Sequence, residues 1–69
     1  MAAYIDRVYR AYGEEHIGKD IMDHITDHQV EEARCASYEV LSALTMVYGK
    51  QPKDTCKIIF CDYIREYFL

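Results

Sequence analysis

The chain has 69 residues, of which 51% are hydrophobic and 29% charged, and its formal net charge is −4. Because it is this apolar and contains only one Pro and three Gly, the composition excludes a disordered tail, and the length leaves room for one domain, residues 1–69. A core of this size supplies only about 3–5 kcal/mol, so disulfides, a metal or a second chain usually supplement it.

The negative charge lies in one part of the sequence, residues 14–32, which we call the acidic segment. It contains seven carboxylates against one lysine, a formal charge of −6, and all three histidines. Such a surface repels phosphates, so direct binding to nucleic acid is not expected, whereas a basic surface of a protein partner would be attracted. The residues that we expect to contact such a partner are Glu14, Glu15, Asp23, Asp27 and Glu31.

The cysteines and the hydropathy favour a cytosolic protein. Three cysteines are an odd number, and Cys56 and Cys61 are five positions apart on one predicted helix, where their side chains point in different directions. No apolar run approaches the ~20 residues that a membrane span needs. We therefore expect a soluble cytoplasmic protein with reduced thiols and no membrane partner.

Two helices are predicted before residue 26. Apolar residues at positions 5, 8, 9 and 12 recur with the spacing of one helix face, which predicts a first helix over residues 2–12. Gly13 is expected to end that helix. Acidic residues favour the N-terminus of a helix, so Glu14 and Glu15 indicate a second helix from about residue 14 to residue 25. Its apolar ridge consists of Ile17, Ile21 and Ile25.

A third helix is predicted over residues 27–48, after a break near residues 26–28. On one continuous helix the apolar ridges before and after this break would lie about 140° apart, so they could not face the same neighbour. Thr26 and Gln29 have the spacing of a capping box, which supports the break. The side chains expected to be buried along this helix are Val30, Ala33, Ser37, Val40, Leu41, Leu44, Val47 and Tyr48. We expect this helix to be the central one of a small all-α bundle of four helices, the second of them short.

The last helix is predicted over residues 53–68 and is apolar on two sides. The side expected to enter the core carries Cys56, Ile59, Phe60, Tyr63, Ile64 and Tyr67. The second stripe carries Ile58, Cys61, Phe68 and Leu69 and is interrupted by Arg65. Because a helix that is apolar on two sides is buried twice, we expect a second copy or another protein to cover this stripe. The expected contact residues are Ile58, Cys61, Arg65 and Phe68.

The histidines suggest an alternative function. If the backbone were helical throughout, His24 and His28 would share a face with Asp20 and Asp27 close by, a ligand set for zinc or another divalent transition metal. The break near residue 27 separates the two rings, and the glutamate of an HExxH motif is absent, so no cofactor is expected. Histidines among carboxylates also suggest a response to pH near the ordinary histidine pKa of about 6.5.

The sequence contains no glycine-rich phosphate loop, nucleophile elbow or Cys-x-x-Cys pair, so an enzyme is not expected. The predicted function is a small protein–protein interaction module, an adaptor, inhibitor or regulator, which forms a homodimer through its last helix or binds another protein. Seven tyrosines favour such a surface, because each ring is apolar with a polar tip. Another alternative is an acidic inhibitor that imitates nucleic acid in the groove of a bacterial or phage enzyme.

Overall fold

Four helices follow one another in the computed structural model, which describes residues 2–69 and, of these, the side chains from Tyr4 onward. They are α1 (Ala2–His16), α2 (Lys19–Met22), α3 (Asp27–Tyr48) and α4 (Thr55–Tyr67). The predicted all-α class is confirmed, with a short second helix and a central α3 that packs against both α1 and α4. None of these four helices is long and apolar enough to cross a membrane.

Gly13 lies inside α1 and does not end it, so the predicted boundary at residue 12 is wrong. A Cβ atom at Gly13 would lie 2.8 Å from the Sδ and Cε atoms of Met22, which is fully buried. The glycine therefore allows α2 to approach α1 closely. The chain leaves the helix at Gly18, whose φ of 130° is one that residues with a Cβ rarely adopt.

The second helix is much shorter than predicted, because turns rather than helix connect Asp23 to Thr26. The predicted break is confirmed. The side chain of Thr26 accepts from the backbone N–H of Gln29 (3.2 Å), and the Gln29 side chain accepts from the backbone N–H of Thr26 (2.9 Å). This reciprocal pair is the predicted capping box, and α3 begins at Asp27 as expected.

The core lies where α1 crosses the pair formed by α3 and α4. The ring of Tyr9 packs edge-on against Phe60, with centroids 5.0 Å apart, and the Tyr9 hydroxyl donates to the Cys56 sulfur at 3.2 Å. The buried apolar residues are Tyr9, Met22, Ile25, Val30, Ala33, Cys56, Phe60, Cys61 and Ile64. Every helix therefore contributes side chains to this core, and Ile25 comes from the turn that follows α2.

The far end of α3 is largely exposed, which corrects part of its predicted buried face. Val30, Ala33 and Ser37 are fully buried, but Val40, Val47 and Tyr48 are exposed. The reason is where α4 begins and that it runs back toward the start of α3, where Phe68 and Gln29 line the same pocket. Cys56 at the start of α4 lies beside Ser37 (Sγ to Oγ 3.2 Å), so the 11 residues of α3 after Ser37 continue for about 16 Å past that point.

Candidate interaction surfaces

The second apolar stripe of α4 is buried in part by its own chain, while Ile58 is 52% and Leu69 61% exposed. Cys61 is only 2% exposed and belongs to the core, so the expectation that solvent or a second chain reaches it is wrong. Burial raises the pKa of its thiol. Ile58 is half-exposed beside Tyr12 of α1, and Phe68 packs against the ring of Tyr63 with centroids 5.9 Å apart. Helix α4 is therefore covered on two sides, by α3 and by α1, without a second molecule.

Arg65, the polar residue in this stripe, joins the end of α4 to the end of α1. Its Nη1 donates to Asp62 Oδ1 at 3.1 Å and its Nη2 donates to the carbonyl oxygen of His16 at 3.2 Å. The structure thus gives Arg65 a place in the fold, whereas its predicted role in binding a partner stays a prediction.

The acidic segment is spread over three helices and their connections. Glu15, Asp23, Asp27 and Glu31 are exposed, while Glu14 is half-buried. Two of these carboxylates already have cationic partners: Asp27 Oδ1 lies 3.1 Å from Arg10 Nη2, and Asp23 Oδ1 lies 3.4 Å from Lys19 Nζ. The segment is therefore exposed as expected, but its charge is partly neutralised within the chain.

Arg10 and Arg34 hold the helices together. Arg10 donates from Nη1 to the carbonyl oxygen of Met22 (2.7 Å) and from Nη2 to that of Ile25 (2.6 Å). It therefore ties α1 to the last residue of α2 and to the turn that follows α2. Arg34 Nε lies 2.8 Å from Asp6 Oδ1, and their side chains are 12% and 16% exposed. No local sequence signal predicts these contacts, because their partners are 12 to 28 positions away.

The three histidines are exposed and lie in different parts of the fold. Nδ1 of His16 is 3.0 Å from the carbonyl oxygen of Tyr12, and Nδ1 of His24 is 2.9 Å from that of Asp20. His24 lies in the turn after α2 and His28 in the first turn of α3. Residues 2–69 contain no group of three or more His, Cys, Asp or Glu side chains placed to hold a metal ion.

The remaining thiols also have distinct surroundings. Cys56 is buried, as predicted, between the Tyr9 hydroxyl and the Ser37 hydroxyl, each 3.2 Å from its sulfur. Ser37 donates to the carbonyl oxygen of Arg34 at 2.7 Å, so this buried polar cluster is satisfied internally. Burial raises the pKa of Tyr9, and the neighbouring Cys56 adds to that effect. Cys35 is exposed on α3.

The last two turns of α3, residues 42–48, form the first free surface, which we call the overhang. No charged residue occurs anywhere between residues 40 and 49. Met46 is 89% exposed, Val47 72% and Tyr48 75%, and Leu44 is half-buried. The overhang therefore presents large apolar side chains to solvent on a helix that has no charges of its own there.

The second free surface is an open groove of about 280 Å³ between α3 and α4, which we call the α3–α4 groove. Its apolar part comes from Ala36, Val40, Ile59, Tyr63 and Tyr67. The other residues that line it are Glu39, Asp62 and Glu66. The groove is therefore apolar along its length with only acidic side chains at its edges.

No protein family, curated protein or solved structure matches this chain.

Proposed function

We propose that this protein is a small protein–protein interaction module, an adaptor, inhibitor or regulator, and that it pairs with a second copy through the overhang. The observation that carries the proposal is the exposure of Met46, Val47 and Tyr48 on a stretch of helix without charges. Burying apolar area is favourable by about 25 cal/mol per Å². An exposed apolar surface of this kind therefore favours an interface.

The charge distribution favours a second copy as the occupant of the overhang. Two copies with a net charge of −4 each repel one another wherever their acidic segments meet. Those segments end at Glu32, ten residues of α3 and about 15 Å before the overhang begins. Since the Debye length is about 8 Å at physiological ionic strength, repulsion across that distance is screened.

Pairing two overhangs places the same uncharged residues on both sides of a twofold axis, as in other symmetric dimers. Such interfaces are the most apolar class of protein contact. Pairing also supplements a core that is small for independent stability. The three free thiols fit a reducing cytosolic setting for this assembly.

Sedimentation velocity over a range of concentrations tests this proposal. The 8.1 kDa chain is expected to change from monomer to dimer as its concentration rises. Val47→Glu should leave a monomer at every concentration, because a carboxylate would be buried against its own copy. Helicity by circular dichroism should be retained, since residue 47 is 72% exposed in the monomer.

Ile58→Glu is the matched control, because it introduces the same charge at an exposed aliphatic residue outside the overhang. It should dimerise like the unmodified chain. If Ile58→Glu abolishes the dimer and Val47→Glu does not, self-association uses the stripe of α4 and the overhang is not the interface. A chain that stays monomeric at all concentrations contradicts the proposed pairing altogether.

A further inference from the structure

The α3–α4 pair has two faces, and α1 occupies only one of them. On that face Tyr9 of α1 contacts Phe60 and Cys56 of α4, and Asp6 pairs with Arg34 of α3. The opposite face is the α3–α4 groove. Helix α1 therefore fills the groove on one face of the α3–α4 pair, and no described part of the chain fills the groove on the other face.

The floor of the groove suits the apolar ridge of a helix. Ala36 is small, which allows a backbone to approach closely, and Ile59 and Tyr63 are half-buried on the other side. The rings of Tyr63 and Tyr67 lie 4.5 Å apart and form one wall. Side chains at the i, i+3, i+4 and i+7 positions of a helix fill grooves of this form.

The edges of the groove select the charge of its occupant. No Lys or Arg lines it, and neither Glu39 nor Glu66 has an ion pair among the residues described. Asp62, the third acid, is paired with Arg65 on its outer side. Burial raises the pKa of Tyr63, and the carboxylates of Glu32 and Glu39 raise it further.

We infer that the α3–α4 groove binds an amphipathic helix of a different protein, with an apolar ridge flanked by Lys or Arg side chains. Those cations would pair with Glu39 and Glu66 at the two edges while the ridge covers Ile59 and Tyr63. A second copy of this chain does not fit, because none of its four described helices has a net positive formal charge. The groove is separate from residues 42–48, so this interaction does not depend on the proposed dimer.

Titration with a synthetic helix tests the inference. The probe is a peptide of about 16 residues with leucines at the i, i+3, i+4 and i+7 spacing and lysines elsewhere. The comparison peptide carries glutamates in place of the lysines. The lysine peptide should bind, shift the amide resonances of residues 36–40 and 59–67, and bind less tightly at high salt, and the glutamate peptide should not bind.

Two double variants with the same change in net charge separate the groove from general attraction. Glu39→Lys with Glu66→Lys should weaken binding of the lysine peptide by about tenfold or more, because the cations would meet like charges. Asp20→Lys with Asp54→Lys, at exposed positions outside the groove, should weaken it far less. Equal losses in the two variants would mean that the peptide responds to net charge alone and would overturn the inference, as would the absence of binding.

The outcome is distinguishable from that of the dimer experiment. The monomeric Val47→Glu variant should bind the lysine peptide as tightly as the unmodified chain. If that variant loses the peptide while both double variants retain it, the peptide binds at the overhang and the groove is not its site.

Discussion

The two halves of α3 differ in charge, in burial and in the neighbours they have. Residues 27–37 contain four charged side chains, yet Val30, Ala33 and Ser37 in this half are fully buried. Residues 42–48 contain no charge, yet Met46, Val47 and Tyr48 are exposed. Burial along this helix therefore follows the positions of α1 and α4 and not the local hydropathy.

The apolar side of a helix and the buried part of that side are two different properties. The hydrophobic pattern states which side of a helix is apolar, whereas the positions and directions of the neighbouring elements decide how much of that side is covered. Because α4 begins beside Ser37 and runs back toward the start of α3, it does not cover the last turns of α3. The apolar residues left over are available for another molecule.

The largest expected effect comes from the same substitution made in each half. Val30→Ala removes two buried methyl groups and leaves a cavity, so the free energy of unfolding should fall by about 2 kcal/mol. Val47→Ala should change the free energy of unfolding of the monomer by less than about 0.5 kcal/mol, because the Val47 side chain is already in water. Urea denaturation at low protein concentration measures both. Equal losses in the two variants would mean that the overhang is packed in the monomer.

A second pair of substitutions compares the two ends of α3. Thr26→Ala removes the N-cap acceptor for Gln29 and should cost about 1 kcal/mol. Thr45→Ala removes only a hydroxyl that donates to the carbonyl oxygen of Leu41 at 2.8 Å on an exposed surface. Since alanine is the better helix former, this variant should be neutral or slightly more stable. Thermal unfolding of the two variants side by side checks the difference.

The smallest expected effect is a loss of stability at alkaline pH, which arises from Tyr9 and Cys61 in the core. The pKa of Tyr9 is raised above its ordinary value of 10.0, so the folded chain keeps a proton that the unfolded chain loses. Stability from this group is therefore complete below pH 10 and falls as the pH rises further. Cys61 acts in the same direction from its ordinary value of 9.0.

Tyr9→Phe tests this dependence. It should cost about 0.5–1 kcal/mol at neutral pH, through loss of the hydrogen bond to Cys56, and should make stability fall less steeply above pH 10. Val47→Ala, outside the core, should keep the pH profile of the unmodified chain. An unchanged profile in Tyr9→Phe would contradict the role given to the Tyr9 hydroxyl.

The fold was predictable where a local signal and the overall pattern agree. The shift of the apolar ridge and the Thr26–Gln29 pair predicted the start of α3 correctly, because capping acts over three residues. The prediction that Gly13 ends the first helix is wrong, since a glycine that ends a helix and a glycine that packs against Met22 cannot be distinguished in the sequence. The prediction of surplus apolar surface on α4 is wrong for Cys61, which is buried, whereas Ile58 and Leu69 are exposed and the exposed end of α3 is an addition.

The all-α class, the capped start of α3, the acidic segment and a surplus of apolar surface over one small core can be read from local patterns. They follow from periodicity, capping and charge, which act between residues a few positions apart. Which apolar surface remains free and which arginines join the helices depends on the packing of the helices. Those outcomes depend on how far each helix extends beside its neighbours and on pairs such as Arg34 with Asp6, 28 positions apart, which no local rule brings together.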